Sequence, residues 1–342
     1  DLADRARTTR VVVIGGGIAG LVAAWECARI GMPVTLIEQQ PRLGGRIETD
    51  ELDGITVDLA PEAFSLSAPA LAGLLDELGL RAEVEPAREG SVAVALATPG
   101  GPRVVTLPPN RAGIPANVWA EPVRALVGGR GVWRAYLDRL RPPLTIGRVR
   151  SLGALVRSRM GARLRDHLVA PLTLGTWGVD PDQIDVDLAV PGLSAALTRA
   201  GSLAGAVGQL LPDDAATRGP RRARLRGGLT QLVTALTERL LLLDADLRVN
   251  HRARGLTRTP DGWLVHLDPA DPRDEAELSS AQESAEPLPA DIVVLAAGAA
   301  TSAALLRGHG IVLEAAPLPV RDVVTLVMDA GTAASDGPAT IY

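Results

Sequence analysis

The sequence predicts an α/β fold that begins with a parallel sheet, and three observations predict it. Val11–Ile14 is a short β-branched run of the kind found in strands that are buried on both faces. Residues 21–30 follow with the pattern of a helix, and Gly31 stands where helices commonly end. Residues 34–38 form a second short apolar run. Together these segments predict a β-α-β unit.

A hairpin and a helix are predicted next. Asp53-Gly54 is a strong two-residue turn signal, and it lies between the strand-like segments 48–52 and 55–59. Ser67 is suited to cap the amphipathic helix that follows. The later predicted elements are a hairpin of 91–97 and 104–107, a helical region at 112–211, a helix at 229–242, strands at 247–250, 263–267, 292–295 and 321–328, and a solvated acidic insertion at 268–289.

Composition excludes several classes of function. The chain has 342 residues, 46% of them hydrophobic and 22% charged, which is the composition of a folded protein with about two domains. The net charge of −5 provides no basic field for binding nucleic acid. No lysine is present, so a Schiff base and a Walker-type phosphate lysine are excluded. Cys27 is the only cysteine, and we interpret it as a packed helix residue.

The first predicted turn carries a nucleotide-binding motif. Residues 15–20 read Gly-Gly-Gly-Ile-Ala-Gly and satisfy G-x-G-x-x-G. Gly15 permits the tight turn, Gly17 lets a pyrophosphate approach the backbone, and Gly20 lets the helix pack on the strand. Glu38 ends the second strand, where its carboxylate can accept hydrogen bonds from a ribose. This arrangement predicts dinucleotide binding, and a glycine-rich turn without a ligand is the alternative.

A second glycine loop favours FAD over NAD. After Glu38 the chain reads Gln39-Gln40-Pro41-Arg42-Leu43-Gly44-Gly45-Arg46. The glycine pair offers a second stretch of bare backbone, and the two arginines offer positive charge for phosphate. A plain nicotinamide dehydrogenase has no need of such a loop. The alternative is a surface turn with two solvated arginines.

Several stretches carry a resemblance to a known family. Residues 11–49 resemble the flavoprotein oxidoreductases with two glycine motifs, which include amine oxidases, carotenoid desaturases and porphyrinogen oxidases. Residues 58–64 resemble the D-x-G-P-x-x-F turn of porphyrinogen oxidases, residues 170–182 their A-P-L-x-x-G-x-Y…D-P-D segment, and residues 225–229 their R-G-G segment. The chain therefore resembles the soluble bacterial porphyrinogen oxidases, which act on coproporphyrinogen III or protoporphyrinogen IX.

The resemblance implies a domain plan. It comprises a Rossmann-type, glutathione-reductase-like FAD-binding domain formed by 8–82 and 219–300, a mixed-sheet substrate domain with strands in 83–111 and 301–342, and a helical insertion at 112–218. The family's C-terminal flavin-contacting segment is not found before Tyr342. We therefore expect a truncated chain, and a defective enzyme is the alternative.

The resemblance also implies a set of cofactor-contacting residues. They are Gly15, Gly16, Gly17, Ile18, Ala19, Gly20, Glu38, Gln39, Arg42, Gly44, Gly45, Arg46, Ala60, Pro61, Glu62, Ala63 and Ala253. Residues 60–63 would lie along the flavin, and the Ala253 backbone would face the adenine. Three positions depart from the family: Ala60 replaces Gly, Trp177 replaces Tyr, and Ala253 replaces Val. The change at Ala60 could narrow the approach to the flavin ring.

The implied reaction is the oxidation of a tetrapyrrole in heme biosynthesis. Hydride leaves a saturated carbon of the macrocycle for the flavin in three two-electron steps, and O₂ reoxidises the flavin to give H₂O₂. Glu62 is the candidate for orienting the substrate, with a solvated turn carboxylate as the alternative. Phe64 could pack against the ring, although a core position is the alternative. Arg148 and Arg150 are candidates for binding the propionates of the substrate, although sequence does not single them out among the 35 arginines.

Other partners and sites are not expected. The four histidines show no metal-ligand spacing, and no membrane span or targeting segment stands out, which predicts a cytoplasmic protein. We expect the basic run at Arg218, Arg221, Arg222 and Arg224 to be a solvated loop. The alternatives to a coproporphyrinogen oxidase are a protoporphyrinogen IX oxidase, another flavin oxidase or desaturase, and a non-catalytic nucleotide-binding remnant. No sequence feature decides the oligomeric state.

Overall fold

The computed structural model describes residues 2–59, 61–66, 69–87, 92–98, 101–141, 151–211, 222–269, 286–313 and 340–341. The chain divides into two compact units. Unit 1 comprises 1–87, 220–317 and 323–328, and unit 2 comprises 88–219, 318–322 and 329–342. Both helices and strands are present, so the predicted mixed α/β class is confirmed. The division into three domains stays a prediction.

Strands and helices are numbered here in chain order. The strands are β1 Val11–Ile14, β2 Val34–Ile37, β3 Thr49–Leu52, β4 Ile55–Asp58, β5 Phe64–Ser65, β6 Val84–Pro86, β7 Val92–Thr98, β8 Gly101–Thr106, β9 Asn110–Arg111, β10 Ile114–Pro115, β11 Arg222–Leu225, β12 Asp246–Arg248, β13 His251–Thr259, β14 Gly262–Pro269, β15 Leu288–Ala290, β16 Ile292–Leu295 and β17 Thr340–Ile341. The α-helices are α1 Leu2–Thr8, α2 Ile18–Ala28, α3 Pro69–Glu77, α4 Glu121–Tyr136, α5 Leu152–Met160, α6 Ala162–Leu164, α7 Ala170–Trp177, α8 Val186–Ala189, α9 Leu193–Ala200, α10 Leu203–Leu210, α11 Thr230–Leu242 and α12 Ala299–Leu306.

Unit 1 is built on a parallel sheet with the strand order β12-β2-β1-β16. Ile14 is in register with Ile37 on one side and with Leu295 on the other, so the three strands end at one edge. All four residues of β1 are buried, as the β-branched run predicts. Val11 and Val13 face a core that includes α2 and α11, whereas Val12 and Ile14 face a core shared with β13, β14 and β15.

Unit 2 is mainly helical, as the sequence predicts for residues 112–211. Its helices enclose one buried cluster, which includes Leu152, Leu168, Leu193 and Leu203. β7 pairs antiparallel with β8 and parallel with β17. Among the helices that the structure describes, none combines the length and apolar character needed to cross a bilayer.

Several sequence predictions need correction. α2 begins at Ile18 rather than at residue 21, because the last turn of the glycine loop already has helical geometry. β13 was not predicted as a strand, although it pairs with β14. β15 begins within the predicted acidic insertion, at residues 288–289, and ends one residue beyond it. Arg222 and Arg224 lie in β11, which pairs with β5 and β6, and are therefore not part of a loop.

Other predictions concern single residues. Phe64 is half-buried and packs against the core of unit 1. Cys27 packs against the same core, and burial raises the pKa of its thiol. Several predictions lie outside the described residues. They concern most of the acidic insertion, the strand predicted at 321–328, and the residues Ser67, Arg148, Arg150, Arg218 and Arg221.

Candidate functional site

The first glycine loop connects β1 to α2 at the carboxyl edge of the parallel sheet. Gly15 has φ +111°, and a Cβ built on it would lie 2.8 Å from the backbone of Ala296. A Cβ on Gly20 would overlap the carbonyl oxygen of Gly15. The close packing of the chain on itself therefore requires glycine at both positions.

Gly17 differs from its neighbours in this respect. Its φ of −71° suits any residue, and a Cβ built on it would meet only the Cα of Gly45, at 4.0 Å. Internal packing therefore does not require glycine at position 17. Gly17 stands at the start of an 11-residue helix, where backbone N–H groups and the helix dipole favour an anion.

Glu38 is positioned by the sheet and holds the first loop. Its carboxylate accepts hydrogen bonds from the N–H of Gly16 at 2.6 Å and from the N–H of Gln40 at 2.7 Å. Its backbone N–H donates to the carbonyl of Arg248 at 2.8 Å. The side chain is only 8% exposed. A carboxylate has about four acceptor positions, so two remain for a hydroxyl-bearing ligand.

The second glycine loop lies directly against the first. The N–H of Gly44 donates to the carbonyl of Gly16 at 2.8 Å. Gly44 and Gly45 have φ values of +108° and +59°, and a Cβ on Gly45 would stand 3.1 Å from the Cα of Gly17. The structure thus brings the two predicted loops together as bare backbone, as the sequence pattern suggested.

The two arginines of the second loop are in different environments. Arg42 donates to the carbonyl of Ile47 at 3.0 Å and pairs with Glu48 at 2.5 Å, so it stabilises its own loop. Arg46 is exposed and makes no hydrogen bond or ion pair with another described residue. Arg46 is therefore the better candidate for contacting a phosphate, and the phosphate contacts of both arginines stay predictions.

A third segment of the site was missed in the sequence analysis. The N–H of Ala296 donates to the carbonyl of Ile14 at 2.8 Å, and the Ala296 backbone lies beneath Gly15. Gly298 then precedes α12. The available signal was a run of small residues directly after a buried parallel strand, because ligands of such sheets bind beyond the carboxyl ends of the strands.

The other implied cofactor residues lie in unit 1. Gln39 is exposed beside Glu38, and Ala253 is buried in β13 against the core that contains Val12 and Ile14. Pro61 and Ala63 are half-buried, and Glu62 is exposed without a hydrogen bond or ion pair to another described residue. Ala60 lies outside the described residues.

The arginine of the R-G-G segment is held by a carboxylate. Arg226 donates to Glu85 at 2.7 Å, and Arg224 donates to the same carboxylate at 3.1 Å. These hydrogen bonds hold the pKa of Glu85 below its usual range. Arg226 therefore joins β6 to the segment that precedes α11. The two glycines of the R-G-G segment, Gly227 and Gly228, lead into the start of that helix.

The D-P-D segment of unit 2 also has a structural role. Asp180 caps a short 3₁₀ helix at Pro181–Gln183 by accepting from the N–H of Asp182 at 2.8 Å. Arg165 pairs with both aspartates, and Arg157 pairs with Asp182 at 2.8 Å. Trp177, at the end of α7, is 41% exposed. Within the described ranges, no group of three or more His, Cys, Asp or Glu residues could hold a metal.

Comparisons with known proteins agree with this geometry. A family model described as flavin containing amine oxidoreductase matches residues 18–326. The chain is 31% identical to a coproporphyrinogen III oxidase of Propionibacterium freudenreichii subsp. freudenreichii, in a match covering 87% of this chain and 58% of that protein. It is 34% identical to a coproporphyrinogen III oxidase of Mycobacterium leprae (strain TN), covering 74% of this chain and 55% of that protein.

One solved structure supports the fold. A crystal structure from Exiguobacterium sp. 255-15, assigned provisionally as a protoporphyrinogen oxidase, matches with a TM-score of 0.69 and 24% identity, covering 88% of this chain and 62% of that chain. The identity to the two coproporphyrinogen III oxidases confirms the resemblance to porphyrinogen oxidases seen in the sequence. The chain spans less than two thirds of the length of each of these relatives.

Proposed function

Because the chain belongs to the flavin containing amine oxidoreductase family, we propose that it binds FAD along its two adjoining glycine loops. In this proposal the parallel sheet of unit 1 is the core of a Rossmann-type, glutathione-reductase-like domain. The observation that carries it is the apposition of Gly17 and Gly45, which leaves bare backbone next to the start of α2. A pyrophosphate needs just such an approach.

Different residues of unit 1 would contact different parts of FAD. Residues 15–20 and 44–45 would hold the pyrophosphate, and Arg46 would add a positive charge. Glu38 would accept from the adenosine ribose through its two remaining acceptor positions. The backbone of Ala253 would face the adenine, and residues 60–63 would lie along the isoalloxazine.

We propose coproporphyrinogen III as the substrate. The supporting observation is the identity to two coproporphyrinogen III oxidases over most of this chain. FAD, when bound, supplies the acceptor for hydride and passes the electrons to O₂, which becomes H₂O₂. Glu62 would orient the macrocycle, since its exposed carboxylate is free to accept hydrogen bonds from pyrrole N–H groups. The single cysteine fits a reducing compartment, and we propose the cytoplasm.

The test begins with the visible spectrum of the purified protein. Coproporphyrinogen III or protoporphyrinogen IX is then added under air, with the autoxidation rate as the control. We expect flavin bands and faster growth of porphyrin fluorescence with coproporphyrinogen III. A preference for protoporphyrinogen IX would change the substrate, and flavin bands without porphyrin would point to another flavin oxidase. A protein that takes up no FAD would overturn the proposal.

A further inference from the structure

Helix α11 begins without a cap of its own. Its N-cap residue is Leu229, whose side chain cannot accept a hydrogen bond. The free N–H groups at this end are satisfied from another segment. The N–H of Leu229 donates to Asp58 Oδ1 at 2.9 Å, and the N–H of Thr230 donates to Thr49 Oγ1 at 3.2 Å. The β3–β4 hairpin therefore supplies the cap that the helix lacks.

The hydroxyl of Thr49 joins the parts of this cap. It donates to Asp58 Oδ1 at 2.6 Å, and it accepts from the hydroxyl of Thr230 at 2.7 Å as well as from its N–H. One donor and two acceptor positions are the full capacity of a hydroxyl. Gly228, with φ +90°, fits tightly here, because a Cβ on it would overlap the side chain of Thr49 and lie 3.1 Å from Asp58 Oδ1.

The same segment holds both ends of the turn at 59–63. At its start, Asp58 binds Leu229, and the N–H of Leu59 donates to the carbonyl of Glu48 at 2.8 Å. At its end, β5 pairs with β11, with Phe64 opposite Ala223. β11 leads directly through the R-G-G segment into α11. Residues 222–230 therefore hold Asp58 on one side of the turn and β5 on the other.

α11 also contacts the second glycine loop. A Cβ built on Gly44 would lie 3.1 Å from a methyl group of Val233, so the helix side packs on the loop backbone. The helix thus contacts the glycine loop through Val233 and the hairpin through its first residues. A displacement at the cap would change the distance between the glycine loops and the turn.

We propose that Asp58 and Thr49 are positioning residues that set residues 61–63 of this turn against the bound flavin. The inference rests on the proposed function in one respect, namely that this turn lies along the isoalloxazine. Neither side chain touches the cofactor in this proposal. They act through α11 and the backbone of the turn, and that backbone would set the position of Glu62.

The experiment compares four variants with the unmodified protein. Asp58→Ala removes the acceptor for the N–H of Leu229, and Thr49→Val removes the acceptor for the N–H of Thr230. Asp58→Asn keeps an oxygen that can accept from Leu229. Asp50→Ala is the matched control, because Asp50 is exposed on the same hairpin and accepts a hydrogen bond from the N–H of the adjacent Glu51. The measurements are FAD affinity, the flavin absorption maxima, the flavin midpoint potential, and hydrogen exchange at 59–63 with and without FAD.

We expect Asp58→Ala and Thr49→Val to weaken FAD binding about tenfold, to shift the flavin bands and midpoint potential, and to speed exchange at 59–63 about tenfold. Asp58→Asn should restore most of each property, and Asp50→Ala should match the unmodified protein. If Asp58→Ala fails to fold, the test rests on Thr49→Val, which removes only one hydroxyl.

Two contrary results are distinguishable. Asp58→Ala and Thr49→Val could lose stability and still have the flavin midpoint potential, the flavin bands and the hydrogen-exchange rate of Asp50→Ala. The cap would then be merely structural, and the inference would be overturned. If the unmodified protein takes up no FAD, the proposed function fails. Exchange at 59–63 then still tests whether the cap fixes the turn, and an unchanged rate in Asp58→Ala overturns that part as well.

Discussion

The carboxylate of Glu38 accepts the N–H of Gly16 at 2.6 Å, across 22 residues of sequence. This bond ties the end of β2 to the turn after β1. The glycine loop is therefore shaped before any ligand arrives. The N–H of Gly15 donates to the carbonyl of Ile37 at 2.8 Å, so an anion would bind at the N–H groups that begin α2. Because the second carboxylate oxygen accepts from Gln40, one side chain fixes the geometry of both segments that would contact FAD.

Glu38→Gln tests this double role. An amide can accept with its oxygen but not with its nitrogen, so one of the two N–H groups would face another donor. An unsatisfied buried group costs about 1–3 kcal/mol. We expect FAD affinity to fall at least about tenfold and the apoprotein to lose stability of that order, measured by flavin titration and urea unfolding. Glu51→Gln, on the exposed β3–β4 hairpin, is the control. Equal FAD affinity in the two variants would contradict the role of Glu38.

Gly17→Ala and Gly20→Ala separate binding from folding. The backbone at Gly17 suits alanine and the added methyl meets ordinary contact, so the apoprotein should stay within about 1 kcal/mol of the original stability. FAD uptake should nevertheless be lost, because the methyl occupies the space open to the pyrophosphate. Gly20→Ala should instead destabilise the apoprotein by about 1–3 kcal/mol, because its methyl overlaps the Gly15 carbonyl. Normal FAD affinity in Gly17→Ala would exclude the backbone at Gly17 as the pyrophosphate site.

Arg46→Ala and Arg42→Ala form a second pair. Arg46 has no described partner, so its removal should leave thermal stability unchanged and weaken FAD binding, by an amount that shrinks at high salt. Arg42→Ala should loosen the second loop, because it breaks the bonds to Ile47 and Glu48. Titration of FAD at two salt concentrations measures both effects. A salt-independent loss in Arg46→Ala would argue against a phosphate contact.

The parts of the site that follow from sequence are those fixed by local rules. β1, β2 and the glycine loops are predicted because β-branched runs and glycines at set spacing leave few alternatives for the backbone. β13 was missed because Arg252, Arg254 and Arg258 make it look like a solvated loop. Its strand geometry comes from pairing with β14, a contact that no window of sequence contains.

Side-chain roles were less predictable for the same reason. Arg42 and Arg46 look equivalent in sequence, but only a partner five or six residues further on decides that Arg42 is occupied. The Asp58–Leu229 bond joins residues 171 positions apart, so it follows from tertiary packing alone. Sequence thus indicated which segments could bind a cofactor, whereas the fold decides which groups are free to do so.

Acid should weaken the joint between β1 and β16. Asp291 accepts from the guanidinium of Arg10 and from its backbone N–H at 2.7 Å, and these bonds hold the pKa of Asp291 below its usual range. A lowered pKa in the folded state means that the stabilisation is complete above the unfolded pKa of about 3.9 and is lost as pH falls through the folded value. An NMR titration should show this pKa rising towards normal in Arg10→Ala, with the backbone bond retained. An unchanged pKa would show that the side chain contributes nothing.

Unit 2 depends on a buried ion pair for its stability. Arg159 and Asp138 are 3% and 1% exposed, and their side chains meet at 2.5 Å. Asp138 also accepts from the N–H of Leu203, and Arg159 donates to the carbonyl of Gly201 at 2.9 Å. The pair therefore joins the chain after α4, the end of α5 and the start of α10.

Removing either partner leaves a buried charge without its counter-ion, which costs about 3–5 kcal/mol. We expect Asp138→Ala to lower the free energy of unfolding by that amount in urea titrations. The control is Arg157→Ala, which breaks the exposed pair with Asp182 and should cost less than about 1 kcal/mol. Arg159→Lys keeps the charge but cannot reach both Asp138 and Gly201 with one ammonium group, so it should fall between the two. A loss in Asp138→Ala no larger than in Arg157→Ala would mean that water reaches the pair and that the core of unit 2 is looser than its packing indicates.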